Sequence, residues 1–188
     1  MKDRQPKHRQ AARERARLDR WAASRAGLPT ALIVCEGRCT EPYYLGGLLE
    51  HLGVNAANAH IQTGSYKTDA LSLVRDARAR FRSTPEYDHV FVVLDGDQAH
   101  LDEARREAGK GMAKAGGGRV TVELIVTSPC FEYWLLLHFE YTTRGLRSVE
   151  AVRALEAHLT DYEKGDREIF AKVSGGLAMA EANAAKGI

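Results

Sequence analysis

A chain of 188 residues, 44% hydrophobic and 28% charged, has room for one sizeable core and at most a small second domain. No apolar run approaches the roughly 20 residues that cross a bilayer, and the first residues lack the pattern of a secretory signal, so the sequence predicts a cytoplasmic protein with no membrane role. The net charge of +2 is unevenly spread: residues 1–26 hold nine Lys or Arg against three acids, whereas the remainder holds 18 basic and 22 acidic side chains.

Residues 1–28 carry many helix formers and few apolar residues, and read as a basic N-terminal helix or arm. A basic arm on a mildly acidic body predicts a polyanion partner; the plain alternative is a solvated helix with none. Gly27 and Pro29 punctuate the boundary to a main domain over 29–188. Ala31-Leu32-Ile33-Val34-Cys35 is an apolar run without alternation, as expected of a strand buried on both faces. Pro42 opens a helix to about Leu52, and 59–63 is a weaker strand. Thr68 or Asp69 caps a helix with Leu71, Val74, Ala77 and Phe81 at helical spacing. The clearest buried strand is 89–94. A charged helix over 101–115, a hairpin or loop at Gly116-Gly117-Gly118 and a strand over 120–127 follow. Ser128-Pro129 reads as the start of a buried helix over 131–139, and shorter helices are expected near 149–159 and 176–186, with 146–188 packed on the domain.

Strands and helices thus alternate. That order predicts an α/β fold with a mainly parallel sheet and helices on both faces, whose functional crevice lies beyond the carboxyl ends of the strands. Cys35, Cys39 and Cys130 are odd in number and form no CxxC pair, which argues for reduced thiols and against a disulfide or a structural zinc site.

Two acidic groups fall at the predicted carboxyl edge. The first strand runs into Glu36-Gly37, and the third into Asp95-Gly96-Asp97. The small central residue lets the chain turn so that Asp95 and Asp97 converge, while Glu36 closes the set. Hard oxygen donors of this kind suit Mg²⁺, or Mn²⁺ in its place, better than zinc or calcium. A plain Asp-Gly turn is the alternative for Asp95 and Asp97.

The segments 32–44 (Leu32-Ile33-Val34-Cys35-Glu36-Gly37-Arg38-Cys39-Thr40-Glu41-Pro42-Tyr43-Tyr44), 92–97 and 128–140 (Ser128-Pro129-Cys130-Phe131-Glu132-Tyr133-Trp134-Leu135-Leu136-Leu137-His138-Phe139-Glu140) resemble the motifs of the RloB-like family, and Tyr162-Glu163-Lys164-Gly165 resembles a weaker one. That family resembles Toprim domains, found in topoisomerases, DnaG-type primases and OLD-type nucleases. The resemblance implies a Toprim-like fold, proton transfer by Glu36 and Mg²⁺ held by Asp95 and Asp97. Glu41 resembles a second acid of the OLD-type nucleases, set here five residues after the first rather than four. The family's company of restriction and other defence genes implies an antiviral, defence-related nuclease and a partner subunit from the same operon.

Other residues border the predicted edge. Glu132 stands in the first turn of its helix and reads as a further ligand or as a cap. His100 is a candidate phosphate donor or proton shuttle, or else a helix cap. Lys67 and Arg38 are candidates for phosphate binding. His138 reads as a satisfied structural histidine, and the Trp134 region as core or a face between copies in a homo-oligomer. The function expected is a metal-dependent nuclease acting on RNA or DNA, in which Mg²⁺ neutralises the scissile phosphate and Glu36 moves a proton. The alternatives are a non-catalytic metal- or nucleotide-binding regulatory module and a nucleotidyl transferase.

Overall fold

The computed structural model describes residues 29–64 and 69–186; the basic segment 1–28 and the phosphate-binding candidate Lys67 lie outside the described residues. The strands are β1 (Ala31–Cys35), β2 (Ala59–Thr63), β3 (His89–Asp95), β4 (Met112–Ala113), β5 (Arg119–Val120) and β6 (Val122–Thr127). The helices are α1 (Thr40–His51), α2 (Ala70–Ser83), α3 (Leu101–Ala108), α4 (Phe131–Leu136), α5 (Ser148–His158), α6 (Ile169–Val173) and α7 (Leu177–Ala185), with a 3₁₀ turn at Ser174–Gly176.

Strands β2, β1, β3 and β6 form one sheet in that order, and every pairing in it is parallel. Parallel neighbours need crossovers, and the helices between the strands supply them. The arrangement is an α/β fold compatible with a Toprim-like one, as the alternation predicts. Because strand side chains alternate between faces, each strand feeds two cores. Leu32, Val34, Val90, Val92 and Leu94 pack with Leu73, Val74, Ala77 and Phe81 of α2 and Ala104 of α3. Ile33, Cys35 and Val93 pack on the opposite face with Tyr44 of α1, Phe131 and Leu135 of α4, Leu155 of α5 and Phe170 of α6. Each large aliphatic side chain so buried contributes about 1.5–3 kcal/mol, which explains the unbroken apolar runs of β1 and β3.

Local chemistry accounts for most helix ends. Asp69 caps α2 as expected, its carboxylate accepting from the Ser72 amide at 3.1 Å. Several sequence-based boundaries need correction. Helix α1 starts at Thr40, so Pro42 occupies its first turn rather than its first residue; the missing N–H has no helical partner there in any case. The helix expected over 101–115 stops at Ala108, because Met112 and Ala113 pair antiparallel with Val120 and Arg119. Gly117 and Gly118 turn that hairpin at φ +90° and +83°, a region few other residues enter. The strand expected over 120–127 breaks at Thr121, since Val120 belongs to the hairpin and Val122 to the main sheet. Helix α4 begins at Phe131, past Pro129, and ends at Leu136; the amides of His138 and Phe139 reach back only three residues, tightening the chain into a narrower turn. Five-residue α6 was not predicted, being too short to show a helical period.

The three cysteines are free thiols. Among the described residues, no helix is long and apolar enough to cross a membrane.

Candidate functional site

Register brings the acids together. Strands β1 and β3 pair Cys35 with Val93, and the Glu36 amide extends the ladder by donating to the Val93 carbonyl at 2.9 Å. Glu36 therefore leaves β1 alongside Asp95. Its Oε2 accepts from the Asp95 amide at 3.0 Å and its Oε1 from the Gln98 side chain at 2.6 Å. Strands β3 and β6 pair Asp95 with Thr127, and Asp95 Oδ1 accepts from the Thr127 hydroxyl at 3.2 Å and the Phe131 amide at 2.9 Å. Two glycines permit this closeness. A Cβ on Gly37 would lie 1.9 Å from Glu41 Oε2, and one on Gly96 would lie 3.0 Å from the backbone of Ser128. The Gly37 amide instead donates to Glu41 Oε1 at 3.2 Å.

The result is a cavity of about 340 Å³ lined by Glu36, Arg38, Glu41, Asp95, Glu132 and Lys164, among others. Glu41 and Glu132 are nearly buried, at 8% and 4% exposure, although both are carboxylates. Glu132 is satisfied: its Oε1 accepts from the Tyr162 hydroxyl at 2.9 Å and faces the Lys164 ammonium at 3.1 Å.

The charges in this cavity are only partly offset. Burial and the charges of Glu36, Glu41 and Glu132 push the Asp95 carboxyl up to about 7, against the pull of the Thr127 hydrogen bond. Burial, then the charges of Glu41 and Asp97, also raises Glu36, although the Asp95 amide pulls it down. Glu41 is raised by burial and by Glu132. Glu132 alone lies below its ordinary range: burial pushes it up, but hydrogen bonds from Cys130 and from its own backbone, together with Lys164, outweigh that push. Partial neutralisation by Lys164 leaves Asp95 as the acid most in want of positive charge.

The other predicted residues separate into those at the cavity and those away from it. Arg38 lines it and is exposed. Asp97 is exposed and turned aside, its Oδ2 accepting from the Ser148 hydroxyl of α5 at 2.8 Å; it does not line the cavity. His100 is exposed in the left-handed region (φ 61°) with Nδ1 3.9 Å from Glu103, so it too stands apart and makes no side-chain cap. His138 is a buried structural residue as read, bonded to the Tyr44 hydroxyl and the Trp134 carbonyl, each at 3.0 Å. Residues not singled out for the site complete it: Gln98 on Glu36, Thr127 on Asp95, Ser148 on Asp97, and Tyr162 with Lys164 on Glu132. Only the last pair carried a signal, lying in the weakest of the four resembling segments.

Among the described residues, no group of three or more His, Cys, Asp or Glu side chains stands arranged as a ready metal cage. The donor set nevertheless fits a hard cation. It is carboxylate oxygen throughout, it shares one cavity, and three of its members are held above their ordinary range by burial and each other's charge. Mg²⁺ is commonly held by one or two carboxylates, with water and substrate phosphate completing its shell.

A family model described as RloB-like protein matches residues 31–187. Neither the curated proteins nor the solved structures gave a match.

Proposed function

The chain belongs to the RloB-like protein family, and from that membership and its cluster of acids we propose a metal-dependent phosphodiesterase acting on nucleic acid. The observation that carries the reading is the crowding of Glu36, Glu41, Asp95 and Glu132 around one cavity at the carboxyl edge of a parallel sheet, with Asp95 raised to about 7. Asp95 is the residue that would hold Mg²⁺, with Glu41 and Glu132 in support, since Asp97 is turned onto Ser148 and lies off the cavity. Bound there, the ion supplies positive charge to the scissile phosphate. Glu36 moves the proton, either from the attacking water or to the leaving oxygen. Its two acceptor atoms are already fixed by the Asp95 amide and Gln98, which hold the carboxylate in one orientation. Lys164 and Arg38 offer positive charge on the same cavity wall for phosphate. The setting we propose is a defence-related system.

The test is cleavage of mixed RNA, single-stranded DNA and duplex DNA with Mg²⁺ or Mn²⁺. Glu36→Gln is expected to lower the rate by at least about 100-fold while leaving the circular dichroism spectrum unchanged. Full activity in that variant removes the mechanism. A second reading, a non-catalytic module that binds a metal or nucleotide and regulates a partner, draws on the lack of a ready three-acid cage among the described residues. Tight calorimetric binding of a nucleotide with no strand cleavage selects it.

A further inference from the structure

Thr127 separates the acidic cavity from a second, larger one. Its hydroxyl bonds Asp95 on one side, and on the other the residue lines a cavity of about 560 Å³ at the outer edge of β6. The walls of this second cavity come from the end of β6, from α4, from the segment 141–146 and from α7. They carry three aromatic rings, Tyr133, Trp134 and Tyr141, together with Arg144 and the hydroxyl of Ser128.

Local bonds hold the rings in place. The Tyr133 hydroxyl donates to the Thr142 carbonyl at 2.9 Å, and the Tyr141 hydroxyl to the Lys186 carbonyl at 3.4 Å. Trp134 packs edge-on against Tyr44 and His138, with centroids 6.3 and 5.3 Å apart. Positive charge stands beside them: Arg144 is exposed, and the Lys186 ammonium lies 5.1 Å from the centre of the Tyr141 ring. None of this is absorbed by the chemistry of Glu36 and Asp95.

We infer that this cavity takes an unstacked nucleobase of a single strand whose phosphate backbone runs towards the Asp95 side; the inference rests on the phosphodiesterase reading above. Bases present flat π-faces that stack on aromatic rings and on guanidinium planes, and recognition of single strands relies on such platforms. The volume suits a small-molecule-sized group, within the roughly 300–1,000 Å³ typical of such sites. Hydroxyls on the wall offer partners for the polar base edge, and the cations of Arg144 and Lys186 complement a phosphate chain. A paired base has its faces covered by its neighbours in the stack and does not enter. The substrate class selected is therefore unpaired nucleic acid.

Trp134 is a built-in reporter, because the chain has only one other tryptophan, Trp21. The experiment uses the full chain carrying Trp21→Phe, in EDTA so that no cleavage occurs. It is titrated with a short oligonucleotide of mixed sequence, as RNA and as DNA, and with the duplex of the same sequence. Saturable quenching of Trp134 by the single strand and none by the duplex is expected. Tyr141→Ala and Arg144→Ala should each weaken strand binding at least about fivefold, with thermal unfolding reporting that both remain folded. The inference is overturned if anisotropy shows binding while Trp134 stays silent, or if duplex or an apolar peptide quenches equally. It is overturned also if the emission changes with protein concentration alone, which places a second copy in the cavity. Quenching without any Mg²⁺-dependent cleavage leaves the base site and removes the phosphodiesterase; cleavage with Trp134 silent does the reverse.

Discussion

Strand β3 has an aspartate at each end, and the two are treated in opposite ways. Asp88, just before the strand, is bonded to the Lys114 side chain and accepts from the Thr30 amide at 2.9 Å and the Thr30 hydroxyl at 3.3 Å. Its hydrogen bonds, that from Lys114 foremost, hold it down at about 2. Asp95, at the strand's end, lies among Glu36, Glu41 and Glu132 and is pushed up to about 7, with burial the foremost cause. Six residues of chain separate a carboxylate with its cation supplied by the fold from one crowded by other acids. A partnered aspartate at the amino edge fastens the strand to its neighbours. An under-compensated one at the carboxyl edge costs stability, and folds retain such strain where ligands bind.

The sharpest way to break this comparison is to neutralise each aspartate in turn. Asp95→Asn is expected to lower Mg²⁺-dependent cleavage by at least about 100-fold, whereas Asp88→Asn should leave it within about twofold. Equal losses would show that both act through the fold, and the contrast between the two ends would disappear.

Acidity gives the next largest effect. A carboxyl titrating near 7 binds a proton in competition with a cation. Mg²⁺ affinity, read by calorimetry, should therefore fall about tenfold for each pH unit below 7 and level off above it. Asp95→Asn should abolish that slope. A flat profile between pH 5 and 8 in the wild-type chain would show that Asp95 does not hold the ion.

How much of this was legible beforehand follows from where each signal resides. Buried parallel strands announce themselves as unbroken apolar runs, so β1, β3 and the acids that terminate them, Glu36 and Asp95, were readable. Register then did the rest, because parallel neighbours place equivalent ends side by side. Asp97 was read as a partner of Asp95, but spacing along a turn does not fix a side chain's direction, and Ser148 from a helix 51 residues away captures it. Lys164 and Tyr162 were visible only as a weak motif, since their bond to Glu132 depends on how the C-terminal segment folds back over α4. His100 shows the converse: nearness in sequence suggested a role, and a left-handed backbone with an exposed ring puts it elsewhere. The aromatic cavity beside β6 could not be read at all, because Trp134 and Tyr141 have the same composition signature as core.

Stability without metal should move the opposite way from activity. A carboxyl raised in the fold contributes stability that is fully present below its unfolded value, near 4, and is lost as pH rises through about 7. Asp95→Asn keeps a hydrogen-bond acceptor for Thr127 and the Phe131 amide and sheds the charge. Measured in EDTA at pH 8, it should gain about 1 kcal/mol after allowance for solvent screening, or about 2–4 °C in Tm. At pH 4 the gain should vanish. A loss of stability at pH 8 would mean that the carboxylate's hydrogen bonds outweigh its neighbours' charges.

The smallest effect belongs to the other end of the strand, and its sign is reversed. Asp88 is depressed, so the stability it contributes is present above about 4 and disappears as pH falls through about 2. Asp88→Asn should therefore lower Tm slightly at pH 7, with no effect near pH 2. Because Asp88 and Lys114 are both partly exposed, added salt should shrink the difference. The Asp95→Asn gain, which arises among buried acids, should resist the same salt. Scanning both variants against ionic strength thus separates a surface ion pair from a crowd of buried acids, and identical salt responses would show that the two ends of β3 differ in degree rather than in kind.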